Sequence, residues 1–200
     1  MKLLSLISGG IDSPVASKLM KQKGHKLEYL FFVTSEEQLE LVEKIVKHLE
    51  GKRLFLLPHS KILRELIKNC PRNLQCILCR RMMFRIASEV ALDYGHKALV
   101  TGENLAQVAS QTLPNLILEH EVSKIPILQP LLCMEKQKIV NKSSKANLFQ
   151  FSKEHQCCGS VPPKPRTHGR KQEIKEAEDN LNIEKIIKDC LENTKIMKFE

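Results

Sequence analysis

One repeating pattern governs the first half of the chain: a short, almost wholly apolar run, then an amphipathic stretch, then another apolar run. Residues 3–7 (LLSLI) read as a strand buried on both faces, and 14–23 as a helix gathering Val15, Leu19 and Met20 on one side. Residues 26–33 (KLEYLFFV) give a second strand. Residues 35–49 follow with Leu39, Val42, Ile45, Val46 and Leu49 at helical spacing, Ser35 standing where a cap is needed. A third strand, 52–57, is closed by Pro58; a short helix at 60–68 and a longer one at 80–94, stopped by Gly95, come next. Residues 97–101 and 126–131 give the fourth and fifth strands, and 104–112 and 134–144 read as helices. Strands alternating with helices at this spacing predict an α/β fold, a doubly wound and mostly parallel five-stranded sheet with crossover helices on both faces.

Beyond a proline-rich basic loop at 161–168, Ile174, Ala177, Leu181, Ile183, Ile186, Ile187 and Leu191 predict two tail helices. Residues 1–168 therefore read as the main domain and 169–200 as a helical extension. With 42% hydrophobic residues among 200, the chain can build a real core, which excludes a disordered polymer. No apolar run approaches the roughly 18 residues a membrane helix needs, and the N-terminal run is too short for a signal peptide. A cytoplasmic protein with no membrane partner is the expectation.

The charge is uneven. The formal net charge is +9, and residues 61–85 hold seven Lys/Arg against one acid (Glu65), a net of +6. Residues 136–170 hold eight against one (Glu154), a net of +7, whereas 169–200 carry seven basic and eight acidic side chains, a net of −1. Such segments suit an anionic partner, nucleic acid or nucleotide.

Ser8-Gly9-Gly10-Ile11-Asp12-Ser13 follows the first strand and opens the first helix. Glycines there let backbone N–H groups approach an anion, and the helix N-terminus adds partial positive charge. Ser8 and Ser13 offer hydroxyls to phosphate oxygens. An aspartate in an anion site makes sense if it holds a Mg²⁺ that the phosphates share. The segment matches neither GxxxxGK[ST] nor GxGxxG.

Seven cysteines, an odd number, point away from a disulfide scaffold and toward metal, cluster or thiol chemistry. Cys76-Ile77-Leu78-Cys79 is a CxxC, whose two thiolates can reach one metal or one cluster edge. A third thiolate is offered by Cys157-Cys158, with no second CxxC to complete a four-cysteine zinc site. Zinc, an iron–sulfur cluster and a redox dithiol all remain open on spacing alone. Cys70, Cys133 and Cys190 are most simply structural thiols in or near helices.

The SGGxDS loop resembles that of the PP-loop ATP pyrophosphatases. A wider resemblance, over about four-fifths of the chain, is to the catalytic domain of the ThiI-type tRNA 4-thiouridine synthases (tRNA sulfurtransferases). It is carried by SGGIDSPVAS at 8–17, CRRMMFRIASEVA at 79–91, ALVTGENLAQVASQTLPNL at 98–116, PILQPL at 126–131, MEKQKI at 134–139 and CCGSVPPKP at 157–165. The resemblance implies an enzyme that binds ATP through Ser8, Gly9, Gly10, Ile11, Asp12 and Ser13, with Gly102 and Gln111 beside the nucleotide. It would adenylate a tRNA uridine, position 8 of the tRNA, and replace O4 by sulfur. Asp12, Lys136 and Cys158 match the family's catalytic positions, although its Asp-Lys pair stands here as Glu135-Lys136. Cys76, Cys79 and Cys158 match the archaeal-like form, in which three cysteines hold an iron–sulfur cluster with one open iron; Cys157 competes with Cys158 for the third place.

The resemblance further leads us to expect a catalytic domain without its usual companions. Met1 lies seven residues ahead of the phosphate loop and the chain stops at Glu200, so ferredoxin-like, THUMP and rhodanese units find no counterpart. The tRNA would then be read by a separate THUMP-type protein, or held by the basic segments 61–85 and 136–170. A second copy of the chain is a further candidate partner, and the sulfur donor is open. Two other readings compete: a PP-loop enzyme that thiolates a small molecule, and a non-catalytic nucleotide- or RNA-binding paralogue.

Overall fold

Strand residues alternate between the two faces of a sheet, and here both faces are apolar. Leu4, Leu30, Phe32, Phe55 and Leu57 enter one buried cluster, while Leu3, Tyr29, Phe31, Leu54 and Leu56 enter another on the opposite side. The computed structural model describes residues 1–105, 111–151, 162 and 164–199. Its parallel strands are β1 (Lys2–Leu6), β2 (Lys26–Val33), β3 (Arg53–Pro58), β4 (Leu99–Val100) and β5 (Ile127–Leu128). A sixth, β6 (Lys195–Lys198), runs antiparallel beside β3, and the order across the sheet is β5-β4-β1-β2-β3-β6. Successive strands step outward from β1 to β3, then β4 returns to the other side of β1. The carboxyl ends of β1 and β4 therefore lie at a topological switch point, where open α/β sheets leave a crevice.

Helices cover both faces. The face holding Leu3 and Phe31 packs α1 (Asp12–Gln22), α2 (Glu36–His48) and α6 (Lys136–Lys145), through Val15, Val42 and Ile139 among others. The opposite face packs α3 (His59–Asn69), α4 (Gln75–Asp93), α5 (Leu113–His120), α7 (Lys171–Glu178) and α8 (Ile183–Glu192). Ser35 caps α2, its Oγ accepting from Gln38 N at 3.2 Å, a bond of about 1 kcal/mol in helices generally. At 19 residues α4 is the central helix, apolar around most of its circumference, with Ile77, Met82, Phe84, Ile86 and Val90 all buried.

Several elements depart from the sequence expectation. The sheet has six strands: β6 (KIMK) is a short, lysine-flanked edge whose pattern carries too little apolar signal to read. The long helix begins at Gln75 rather than residue 80, after Pro71 and a 3-10 turn at Arg72–Leu74, so the CxxC lies within its first turns. The 97–101 run pairs as a ladder only at Leu99–Val100, yet Lys97 N and Thr101 N still bond to Lys2 O and Leu128 O, at 2.9 and 3.0 Å. Of the helix expected at 104–112, residues 104, 105, 111 and 112 are not helical and 106–110 lie outside the described residues. The next helix among the described residues is α5, with Pro114 in its first turn.

The tail after residue 169 is part of this architecture. Ile174 and Ala177 of α7 and Ile186 and Cys190 of α8 are buried against α4. Glu178 takes forked hydrogen bonds from both Arg81 (2.8 and 2.9 Å) and Arg85 (2.6 and 2.9 Å).

Candidate functional site

The loop between β1 and α1 is braced by its own hydroxyls. Ser8 N donates to Ser13 Oγ at 2.8 Å, the two hydroxyls lie 3.0 Å apart, and Gly10 N reaches Ser8 Oγ at 3.4 Å. Among the described residues no side chain caps α1, whose N-cap residue is Ile11. Its first amides are thus oriented toward the crevice with the partial positive charge of a helix N-terminus, an arrangement suited to an anion. Ser8, Gly9, Gly10, Asp12 and Ser13 line the crevice, whereas Ile11 packs half-buried into the core beneath.

The crevice has a volume of about 300 Å³. Its other walls come from the strand ends and from α4: Leu30 and Phe32, Arg80, Met83 and Phe84, and the Thr101–Glu103 turn after β4. Gly102 makes the junction possible. A Cβ there would overlap the Ser13 backbone nitrogen and sit 2.6 Å from the Asp12 carbonyl carbon, so only glycine lets this turn touch α1. Gln111 also reaches the crevice, its Oε1 accepting from Asn104 N at 3.3 Å. An apolar interior with a polar, amide-lined mouth fits a base bound inward and phosphates at the rim.

Lys136, the first residue of α6, extends its Nζ to Asp12 Oδ1 at 2.8 Å. The two side chains lie 124 residues apart in sequence and meet where α1 begins. The lysine is half exposed and the aspartate 15% exposed, so the pair stands at the mouth of the crevice.

Beneath the crevice lies a buried polar network that the sequence did not single out. Arg80 pairs with Glu103 and, at 2.7 Å, with Glu119, and its guanidinium lies 5.5 Å from the Phe84 ring centroid. Glu103 also accepts from Thr101 Oγ1 (2.8 Å), Gln129 Nε2 (2.6 Å) and His120 Nε2 (3.0 Å). Burial pushes the Glu119 carboxyl up to about 7 against the pull of Arg80 and Arg81. Burial, aided by Arg80, holds His120 down to about 4, leaving a neutral ring that donates to Glu103. The CRRMM, TGEN and PILQPL segments contained Arg80, Glu103 and Gln129, but Glu119 carried no local signal.

Cys76 and Cys79 stand one turn apart at the start of α4. Cys79 is buried and its Sγ shares a hydrogen bond with His59 Nε2 at 3.2 Å. Gln75, one turn before Cys79, is 3% exposed, and among the described residues neither its amide nitrogen nor its oxygen has a partner. A half-buried thiol at Cys76, a buried one at Cys79 and the Gln75 amide on the same helix start suit a polar, sulfur-bearing group, to which amides can donate. Among the described residues no three His, Cys, Asp or Glu side chains converge as a metal site. Cys157 and Cys158, the third thiolate of the sequence reading, lie outside the described residues. Burial raises the Cys70 and Cys190 thiols to about 11, as inert core groups should be, but Cys133 is exposed rather than structural.

The basic segments have different fates. Within 61–85, Arg80, Arg81 and Arg85 are matched by Glu103, Glu119, Glu121 and Glu178. Much of that segment's positive excess is therefore neutralised inside the fold and does not face a partner. No helix among the described residues is long and apolar enough to cross a membrane.

Comparison with known proteins agrees with this geometry. The family model described as thiamine biosynthesis protein (ThiI) matches residues 1–183. A probable tRNA sulfurtransferase of Finegoldia magna is 36% identical over 210 residues, covering 98% of this chain and 53% of that protein. The chain thus spans about half the length of the curated relatives it matches. Among solved structures, a 4-thiouridine synthetase–RNA complex with bound ATP superimposes with a TM-score of 0.93 at 32% identity, covering 100% of this chain and 55% of the other. The NMN synthetase of Francisella tularensis, at 13% identity and TM-score 0.58 over 94% of this chain and 75% of its own, shares the fold alone.

Proposed function

Because the chain belongs to the ThiI family, we propose that it is the catalytic unit of an ATP-dependent tRNA sulfurtransferase that makes 4-thiouridine. One observation carries the reading: the Lys136–Asp12 pair closes over an uncapped helix N-terminus at the switch-point crevice. The resemblance of the loop and the ATP bound in the 32%-identical structure support the nucleotide.

ATP would lie with its phosphates on the amides of residues 8–13 and its apolar portion against the crevice wall. Uridine O4 attacks the α-phosphorus, the bond to the bridging oxygen breaks, and pyrophosphate leaves with that bond's electron pair. Lys136 neutralises charge that builds on the phosphate oxygens, and the fixed amides do so without reorganising. Asp12 would hold Mg²⁺, which when bound shields the leaving pyrophosphate. A sulfur nucleophile then adds at C4 and AMP departs. Cys76, Cys79 and Cys158 would hold an iron–sulfur cluster, which when bound supplies an iron site for that sulfur. A THUMP-type RNA-binding unit would present the tRNA.

The test is pyrophosphate release from ATP with unmodified tRNA, scored together with 4-thiouridine. Release should require tRNA and fall at least 100-fold in Asp12→Ala and Lys136→Met. Release indifferent to tRNA would transfer the chemistry to a small substrate. ATP binding with no release under any condition would make the chain a binding module.

A further inference from the structure

The arginines of α4 are matched by carboxylates, as are Lys136 and Lys138 in the first turn of α6, but Lys142 and Lys145 further along that helix are not, among the described residues. This helix, KQKIVNKSSK, contains no acid, and the Glu135 preceding it is engaged by Lys138 at 3.2 Å. A groove of about 460 Å³ runs between α6 and α1, with Lys18 on one wall, Lys142 and Lys145 on the other, and Val15 and Leu19 as its apolar floor. Lys142 and Lys145 are exposed, Lys18 is half-buried, and none of the three forms an ion pair within 4.0 Å among the described residues. Glu50, the acid that feels Lys18, is held by Lys21 at 2.9 Å. The far end is fixed by His48 Nε2, which donates to Ala146 O at 2.8 Å and so ties the end of α2 to the end of α6.

We propose that this groove receives the phosphate backbone of the substrate RNA next to the reacting uridine. The assignment rests on the RNA-thiolating reading above and adds where the strand lies. Both walls lead to the reaction site: α1 starts at the phosphate loop, and α6 starts at Lys136, which touches Asp12. From Lys136 to Lys145 the helix rises about 13 Å, enough to follow a short run of nucleotides. Unpaired lysines over a concave floor suit a flexible polyanion, whose bound counterions they release. A folded acidic protein or a membrane surface would meet the groove only at its rim.

The experiment measures binding of a fluorescent, unmodified tRNA transcript to the full chain with ATP present, as a function of salt. Each phosphate contact contributes about 0.7–0.9 to the slope of log affinity against log salt. Replacing Lys18, Lys142 and Lys145 together by alanine should flatten that slope by about 2–3 and weaken binding roughly 10–100-fold at low salt. ATP affinity and thermal unfolding should be unchanged, since none of the three touches the crevice. Lys145→Glu alone should lower tRNA affinity several-fold. If wild type binds tRNA and the triple variant keeps both slope and affinity, the groove assignment is wrong and the function stands. If wild type binds no RNA at any salt, with or without ATP, the groove assignment falls, and tRNA-dependent pyrophosphate release decides the function separately.

Discussion

Replacing Gly102 by alanine tests whether the crevice depends on backbone contact between two loops distant in sequence. The added Cβ would lie 2.6 Å from the Asp12 carbonyl carbon, with the Ser13 nitrogen and Cα as its other near neighbours. Ordinary contact begins at 3.4 Å, so clearing the Asp12 carbon alone takes a retreat of about 0.8 Å by the turn after β4, and the nearer Ser13 nitrogen requires more. The obstacle is backbone on both sides, so no rotamer change relieves it. Overpacking of this kind costs about 1–3 kcal/mol of stability. A displacement near 1 Å at a reacting centre costs up to roughly 100-fold in rate. Thermal unfolding and tRNA-dependent pyrophosphate release, measured with ATP titrated, should show both losses. Gly169→Ala is the control, because its Cβ would meet only side-chain ends, Ile77 Cδ1 at 2.9 Å and Leu118 Cδ1 at 3.1 Å, away from the nucleotide loop. It should lose stability while keeping ATP affinity. Wild-type ATP affinity and melting temperature in Gly102→Ala would refute the reasoning.

Glu178 gives a pH prediction. Burial pushes its carboxyl up, but hydrogen bonds and charge from Arg81 and Arg85 outweigh it and hold the group at about 2, below its usual 4.5. A depressed folded-state value contributes stability above pH 4.5 that is lost as pH falls toward 2, about 2–3 kcal/mol in all. Glu178→Gln should therefore be less stable than wild type in urea at pH 7, with the gap closing between pH 4.5 and 2; a gap independent of pH would place the effect elsewhere. For the cluster, protein purified without oxygen should carry iron and inorganic sulfide with visible absorption that disappears in Cys76→Ala and Cys79→Ala. A colourless wild type holding one zinc would overturn that assignment.

The alternation of apolar runs with amphipathic stretches was enough to read the parallel strands, the crossover helices and the Ser35 cap, because each is set by neighbours within a turn or a strand. The SGGIDS loop was legible for the same reason: a glycine pair between a strand and a helix lets nearby backbone amides approach an anion. Lys136 could be singled out only through resemblance, since nothing in MEKQKI itself points to Asp12. Arg80 and Glu119 lie 39 residues apart, and no local pattern announces a buried pair. The charge counts were correct as sums but misleading as surfaces. Segment 61–85 is strongly basic in sequence, yet Arg80, Arg81 and Arg85 are matched by carboxylates from after β4, from α5 and its end, and from α7. Lys142 and Lys145 of α6 escape that fate because they line a groove to which α1 offers Lys18 and no acid. The sequence determined the elements and the local chemistry of the phosphate loop, which need only nearby atoms. The tertiary structure alone decided that β4 returns beside β1, which brings Gly102 against α1, and that α6 delivers Lys136 to Asp12, because Coulomb and steric terms act through space between segments that topology brings together.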